Sequence, residues 1–206
     1  MSAVETIPAD PPAGLRVGLL GGSFNPAHAG HLHISRQALE RLKLDQVWWL
    51  VSPQNPLKPE AGMAPLDERL AGAAQAAVDP RIRVGAIERE LGTRYTADTL
   101  IALKARFPGL RFVWLMGADI LVQLPRWKRW RDVFRAVPIA VFARPSYSLR
   151  ARFGCAAWHF AAARQLASRA PDLAAMTPPA WVFLRIPLHA ASASRIRARR
   201  TADHNG

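Results

Sequence analysis

Leu15-Arg16-Val17-Gly18-Leu19-Leu20-Gly21-Gly22-Ser23-Phe24-Asn25-Pro26-Ala27-His28-Ala29-Gly30-His31 decides the fold of this 206-residue chain. An apolar run of strand length ends in a glycine turn, and a helix-like segment starts near His31. Strand, turn and helix N-terminus in that order leave backbone N–H groups and the positive end of the helix dipole aimed at the turn. The stretch therefore predicts an anion site. Gly21 and Gly22 permit positive φ and a close approach of ligand to backbone. Pro26 stiffens the loop by fixing one φ, and Gly30 leaves room for a flat base or sugar. His28 and His31 share a face if the helix has begun by then, and both can donate hydrogen bonds to phosphate oxygens. The string lacks the Gly-Lys-Ser/Thr ending of a P-loop and is not a G-x-G-x-x-G fingerprint. The bland alternative, a Gly-Pro turn beside surface histidines, does not account for the whole string after a buried strand.

Working outward, apolar runs of strand length alternate with helix-length segments. Strands are expected at Val17–Leu20, Val47–Val51, Ile82–Ala86, Phe112–Met116, Ile139–Phe142 and Trp181–Leu184. Helices are expected at His31–Arg41, Leu66–Ala77, Thr96–Ala105, Trp130–Phe134, Ala156–Ser168 and Ser192–Arg199, with a Pro-rich connection over Ala170–Pro179. This alternation predicts an α/β, Rossmann-like, doubly wound and mostly parallel sheet with helices on both faces. Ligands of such sheets bind beyond the carboxyl ends of the strands at the switch point. Gly21–His31, Ser52–Lys58, Gly117–Asp119 and Ala143–Pro145 all follow expected strands. Residues 15–206 read as one domain, preceded by a flexible leader over 1–14.

The formal net charge is +13, with 28 Lys and Arg against 15 Asp and Glu. Such a balance suits nucleic acid or a small polyanion. The basic residues are spread along the chain, and Arg129, Arg131, Arg199 and Arg200 read as solvated helix faces. No run of apolar residues is long enough for a membrane span, and residues 1–14 do not form a secretory signal. The lone Cys155 excludes an internal disulfide, fits a reducing cytoplasm, and reads as a packing residue.

The N-terminal string resembles the G-G-[ST]-F-[DN]-P-x-H-x-G-H signature of the H-x-G-H nucleotidyltransferase superfamily. Tyr95-Thr96-Ala97-Asp98-Thr99-Leu100, Met116-Gly117-Ala118-Asp119 followed by Trp127, Phe142-Ala143-Arg144-Pro145, and Ser192-Ala193-Ser194-Arg195-Ile196-Arg197 resemble the further motifs of its bacterial nicotinate-mononucleotide adenylyltransferases. Ala191 and Ser194 stand where isoleucine and threonine are usual, and Ser194 keeps the hydroxyl.

The resemblance implies transfer of the adenylyl group of ATP to nicotinate mononucleotide, giving deamido-NAD and pyrophosphate. Within it, His28 and His31 contact the phosphates around the transferred phosphorus, and Gly21, Gly22, Ser23, Phe24 and Gly30 form the turn. The N–H groups of Ser23 and Phe24 cradle phosphate oxygens, and Ser192, Ser194 and Arg197 grip the outer phosphates. Ser192 or Ser194 alone could equally be an N-cap. Gly117 and Asp119 bind ribose, Asp119 having a helix N-cap as its alternative. Arg144 reads as an adenine or phosphate contact or as half of a structural pair. For the pyridine side the resemblance implies stacking on Trp127 and a carboxylate received near Thr96 and Lys128, with Tyr95 alongside. Trp127 could otherwise be a plain core aromatic, and Lys58 could reach a phosphate or stay a solvated loop lysine. Mg²⁺ is expected to enter with ATP, held by phosphates and waters and not by a dedicated carboxylate cage. A Zn²⁺ cluster of His28, His31 and His33 would leave the turn unexplained. No nucleic-acid partner is expected, and oligomeric state stays open. Rival readings are nicotinamide mononucleotide as acceptor, and a basic nucleic-acid-binding module.

Overall fold

The computed structural model describes residues 7–53, 62–145, 147–187 and 189. In chain order the elements are β1 (Arg16–Gly22), α1 (Ala29–Arg41), β2 (Gln46–Val51), α2 (Leu66–Ala76), β3 (Ile82–Gly85), α3 (Ile87–Glu90), α4 (Thr96–Arg106), β4 (Arg111–Gly117) and α5 (Ala118–Gln123). They continue as α6 (Trp130–Ala136), β5 (Ile139–Phe142), α7 (Ser148–Arg152), α8 (Cys155–His159), β6 (Arg164–Gln165) and β7 (Trp181–Leu184), with short 3₁₀ turns between.

The strands form one seven-stranded sheet in the order β3-β2-β1-β4-β5-β7-β6, and every described pairing is parallel. The fold is thus the expected α/β, Rossmann-like one. From β1 the chain winds outward through β2 and β3, then returns to the other side of β1 as β4. This reversal opens the crevice at the carboxyl ends of β1 and β4, where doubly wound sheets bind ligands.

Both faces of the sheet are covered, which explains why the strands read as continuous apolar runs. Along β2 the side chains alternate. Trp48 and Leu50 enter one core layer with Trp114, Phe134 and Trp181. Val47, Trp49 and Val51 enter the other with Phe24, Leu39 and Phe142. Both Trp48 and Trp49 are fully buried. Arg16 is tied to Asp45 by its backbone N–H at 2.7 Å and by its guanidinium at 3.1 Å, fixing the start of β1 against the entry to β2. Residues 7–14, from the expected leader, lie against this body: Ile7 packs on the core and the Gly14 N–H donates to the Gly109 carbonyl at 2.7 Å.

Two expectations are corrected. The helix expected over Ala156–Ser168 ends at His159 and gives way to a 3₁₀ turn (Ala161–Ala163) and the edge strand β6. In a helix the Phe160 carbonyl would accept from Arg164; here it accepts from the Ala163 N–H at 3.1 Å and from Trp181 Nε1 at 2.8 Å. The Arg164 guanidinium lies 5.3 Å from the Trp181 ring centroid. The connection expected over Ala170–Pro179 is largely a 3₁₀ helix (Ala167–Ala175) that buries Ala170, Leu173 and Ala174 and carries Pro171 within it. The helix expected over Ser192–Arg199 lies outside the described residues.

Candidate active site

The turn after β1 is built differently from its sequence reading. Gly21 and Gly22 belong to β1, and the left-handed residue is Phe24, at φ 46°. Gly21 is a glycine because of packing: a Cβ there would lie 2.4 Å from the buried Trp114 ring on β4. Phe24 turns its ring inward, with centroids 4.6 Å from His31 and 5.2 Å from Trp49. A large apolar anchor thus holds the turn in a conformation that costs a non-glycine residue backbone energy.

His28 is the N-cap of α1, in extended backbone, and His31 is its third residue. The two form a reciprocal capping box from imidazoles. Gly30 N–H donates to His28 Nδ1 at 3.1 Å, and His28 N–H donates to His31 Nδ1 at 3.2 Å. The His31 N–H is also used, by the His28 carbonyl at 2.9 Å. The first N–H groups of α1 are therefore partly consumed internally, which corrects the picture of a bare helix N-terminus. The same bonds have a chemical consequence. Each Nδ1 acts as acceptor, so in each neutral ring the proton sits on Nε2. The rings lie 3.9 Å apart between centroids, and the helix start exchanges backbone donors for two imidazole Nε2–H donors.

His28 is buried, and its pKa falls to about 4, first through desolvation and then through the positive charges of Arg144 and His189. Its neutral form therefore persists well below neutral pH. His189, on the segment after β7, has no role in the sequence reading. Its ring lies 5.5 Å from that of His33, whose Nε2 is 2.7 Å from the Pro187 carbonyl.

At the end of β4, Gly117 caps α5, and a Cβ there would lie 2.3 Å from Asp119 Oδ1 and 3.0 Å from Arg144 Nε. The missing side chain lets Asp119 and Arg144 approach to 3.6 Å. That distance is too long for a hydrogen bond, and among the described residues both Asp119 Oδ1 and Arg144 Nε are buried without one. Unmet buried donors and acceptors are costly, so the pair suits a polar ligand that satisfies both.

The remaining cluster stands on α4 and the segment before α6. Tyr95 caps α4 and Thr96 is its first residue. Lys128 Nζ lies 4.5 Å from the Tyr95 ring centroid, and Trp127 is half-buried against the core. Arg129, expected as a solvated helix face, stays exposed, takes a left-handed φ of 56° just before α6, and pairs with Asp98 on α4 and with Asp132 at 2.9 Å. It binds the start of α6 to the start of α4. Nearby, a cavity of about 260 Å³ is lined by Pro53, Glu88, Thr93 and Arg94.

The structure thus joins Ser23, Phe24, His28, Gly30 and His31 in one turn, sets the Asp119–Arg144 pair near it, and brings Tyr95 to Lys128. Lys58, Ser192, Ser194 and Arg197 lie outside the described residues. Among the described residues no group of three or more His, Cys, Asp or Glu could hold a metal, and no helix is long and apolar enough to cross a membrane. Cys155 is exposed, not a packing residue, because α8 turns it outward at its first position.

Sequence reasoning missed two buried charges. Glu88 is buried, and desolvation raises its pKa while a hydrogen bond with the Ser52 side chain lowers it. Arg69 is 4 % exposed and bonded to carbonyl oxygens of the active-site turn and its neighbours. Its signal was available: Arg69 occupies the apolar face of α2 beside Leu70 and Ala73. An arginine on a buried helical stripe needs a dedicated set of acceptors.

A doubly wound sheet with imidazole donors at its switch point and an unmet acid–base pair beside them defines a nucleotide-handling group-transfer protein. The chain belongs to the cytidylyltransferase-like family, whose model matches residues 19–199. It is 59% identical over 186 residues to a protein of Parvibaculum lavamentivorans described as "Probable nicotinate-nucleotide adenylyltransferase", covering 90% of this chain and 92% of that one. A protein of Cereibacter sphaeroides with the same description is 58% identical over 182 residues, covering 88% and 96%. Among solved structures, the Plasmodium falciparum nicotinic acid mononucleotide adenylyltransferase complexed with NaAD superposes with a TM-score of 0.66 at 14% identity, over 89% of this chain and 83% of that one. At that identity the likeness speaks for the fold.

Proposed function

We infer that this chain transfers the adenylyl group of ATP to nicotinate mononucleotide, forming deamido-NAD and pyrophosphate in NAD biosynthesis. The observation that carries the chemistry is the imidazole capping box, which leaves both His28 and His31 with Nε2–H donors at the switch point. The acceptor's phosphate monoester has a second pKa of ~6 and is already ionised at neutral pH. It attacks the α-phosphorus of ATP; the new P–O bond forms as the bond to the bridging oxygen breaks, and pyrophosphate leaves with the electron pair. No general base is needed. The barrier is electrostatic, and preorganised donors lower it by meeting the charge that builds on the phosphate oxygens. A neutral imidazole whose proton is held on Nε2 suits that task without reorganisation.

Asp119 and Arg144 offer their unmet atoms to ATP's ribose and its neighbouring polar groups. Trp127 offers a face for the pyridine ring, and the backbone near Thr96 and Lys128 offers N–H donors that favour a carboxylate over a neutral amide. Mg²⁺ enters as part of the ATP substrate, held by phosphates and waters. We place the reaction in the cytoplasm, a reading supported by the single free cysteine.

Pyrophosphate release with ATP plus each mononucleotide tests the assignment. Nicotinate mononucleotide is expected to exceed nicotinamide mononucleotide by ~10²-fold in kcat/KM, the discrimination of about one charge-assisted contact set. Equal turnover of the two would remove the carboxylate assignment, and release with neither would remove the activity. Tight, steeply salt-dependent binding of RNA or DNA would favour the nucleic-acid reading instead.

A further inference from the structure

Among the described residues the guanidinium of Arg69 makes four hydrogen bonds, all to backbone carbonyls. Nη1 donates to Ser23 at 2.8 Å and to Ser52 at 2.7 Å. Nη2 donates to Pro53 at 2.8 Å and Nε to Ala64 at 2.8 Å. Ser23 belongs to the turn before α1. Ser52 and Pro53 follow β2, and Pro53 also lines the cavity with Glu88, Thr93 and Arg94. Ala64 lies just before α2. One rigid plane therefore joins the imidazole-bearing turn to the wall of the neighbouring cavity. Asn25 adds a second link, its Nδ2 donating to the Gly62 carbonyl at 3.0 Å and its Oδ1 accepting from the Ala64 N–H at 3.4 Å.

We propose that Arg69, seconded by Asn25, is the positioning residue of the active site: it sets the phosphate turn against the cavity of Pro53, Glu88, Thr93 and Arg94, which borders Tyr95 and Thr96 in sequence and which the proposal gives to the acceptor, so that the two nucleotides meet in line. The proposal rests on the adenylyl-transfer reading above. A buried cation is expensive, and desolvation lowers the Arg69 pKa. Its four acceptors among the described residues are all neutral carbonyls, and they place three chain segments against one another. A lysine cannot replace it, because its three donors diverge from one nitrogen while the guanidinium fork spans four separated oxygens. In a reaction whose catalysis is positioning, displacing one binding surface by about 1 Å costs ~10²-fold in rate.

The test uses Arg69→Lys and Asn25→Ala, each alone and combined with His31→Ala, in the full chain with pyrophosphate release as readout. Arg69→Lys should lower kcat by ~10²-fold, with a smaller change in KM for either nucleotide. Asn25→Ala should lower kcat by ~10-fold. In the His31→Ala background each should cost clearly less than it does alone, because one of the two imidazoles being positioned is gone. A general structural role would instead give losses that multiply in full. Folded Arg69→Lys with kcat within about threefold of the parent, or full multiplication with His31→Ala, overturns the proposal. Should Arg69→Lys not fold, Asn25→Ala decides by the same two criteria. Absence of pyrophosphate release from the parent chain would be a failure of the adenylyl-transfer reading, and it is seen before any variant is compared.

Discussion

His28 does two separable things, and substitution can divide them. Its Nδ1 caps α1 by accepting from the Gly30 N–H, and its Nε2 is left to donate. Asparagine places a carbonyl oxygen near the Nδ1 position but carries nothing at Nε2. Glutamine reaches the Nε2 position with an N–H donor but caps poorly. Alanine loses both. Loss of an N-cap bond costs ~1 kcal/mol, and in a domain of this size that is about 2–4 °C in Tm. Loss of one preorganised donor to a transition-state oxyanion costs ~10²–10³ in kcat, or about 2.7–4 kcal/mol. His28→Asn should therefore keep Tm close to the parent while kcat falls by the full factor. His28→Ala should lose both, and His28→Gln should keep more of kcat than Asn while losing Tm. Thermal unfolding and steady-state pyrophosphate release, run on the same preparations, resolve the two effects. If His28→Asn turned over within about threefold of the parent, the Nε2–H would not be the donor and the mechanism drawn from the capping box would fail.

The His28 ring should titrate near pH 4 by NMR, and Arg144→Met should move the midpoint upward by removing a nearby positive charge. Because its folded pKa lies below its unfolded value, His28 supports stability above about pH 6.5, and that support is lost as pH falls through about 4. Glu88 has the opposite sign, since burial raises its pKa. Its contribution is full at acid pH and falls as the carboxyl ionises, so Glu88→Gln should raise Tm more at pH 8 than at pH 4. Gly117→Ala should raise KM for ATP by ~10-fold, because its new Cβ would displace the Asp119 carboxylate and the Arg144 side chain. Gly21→Ala should instead destabilise by ~1–3 kcal/mol in denaturant melts, because its Cβ meets the buried Trp114 ring.

Much of the site was legible from local pattern. The strand runs ending at Leu20, Val51 and Phe142 are apolar on both faces, as a covered parallel sheet requires, and His28 and His31 share the capped end of α1. What failed to show had its cause far away in the chain. Ala156–Ser168 has helix-forming composition, yet Trp181 takes the Phe160 carbonyl and an edge strand forms instead. Gly21 looks like a turn glycine, and only the neighbouring strand reveals that Trp114 fills its side-chain space.

The amino-acid order alone determined the β-α alternation, the place of the crevice and the identity of its two imidazoles, because these follow from side-chain period and from residues close in sequence. Only the tertiary structure decided which imidazole nitrogen carries the proton, why His28 stays neutral, and that Arg69 binds the turn to its neighbours. Those outcomes depend on desolvation and on hydrogen bonds closed between Arg69 and Ser23, 46 residues apart, which no local pattern encodes.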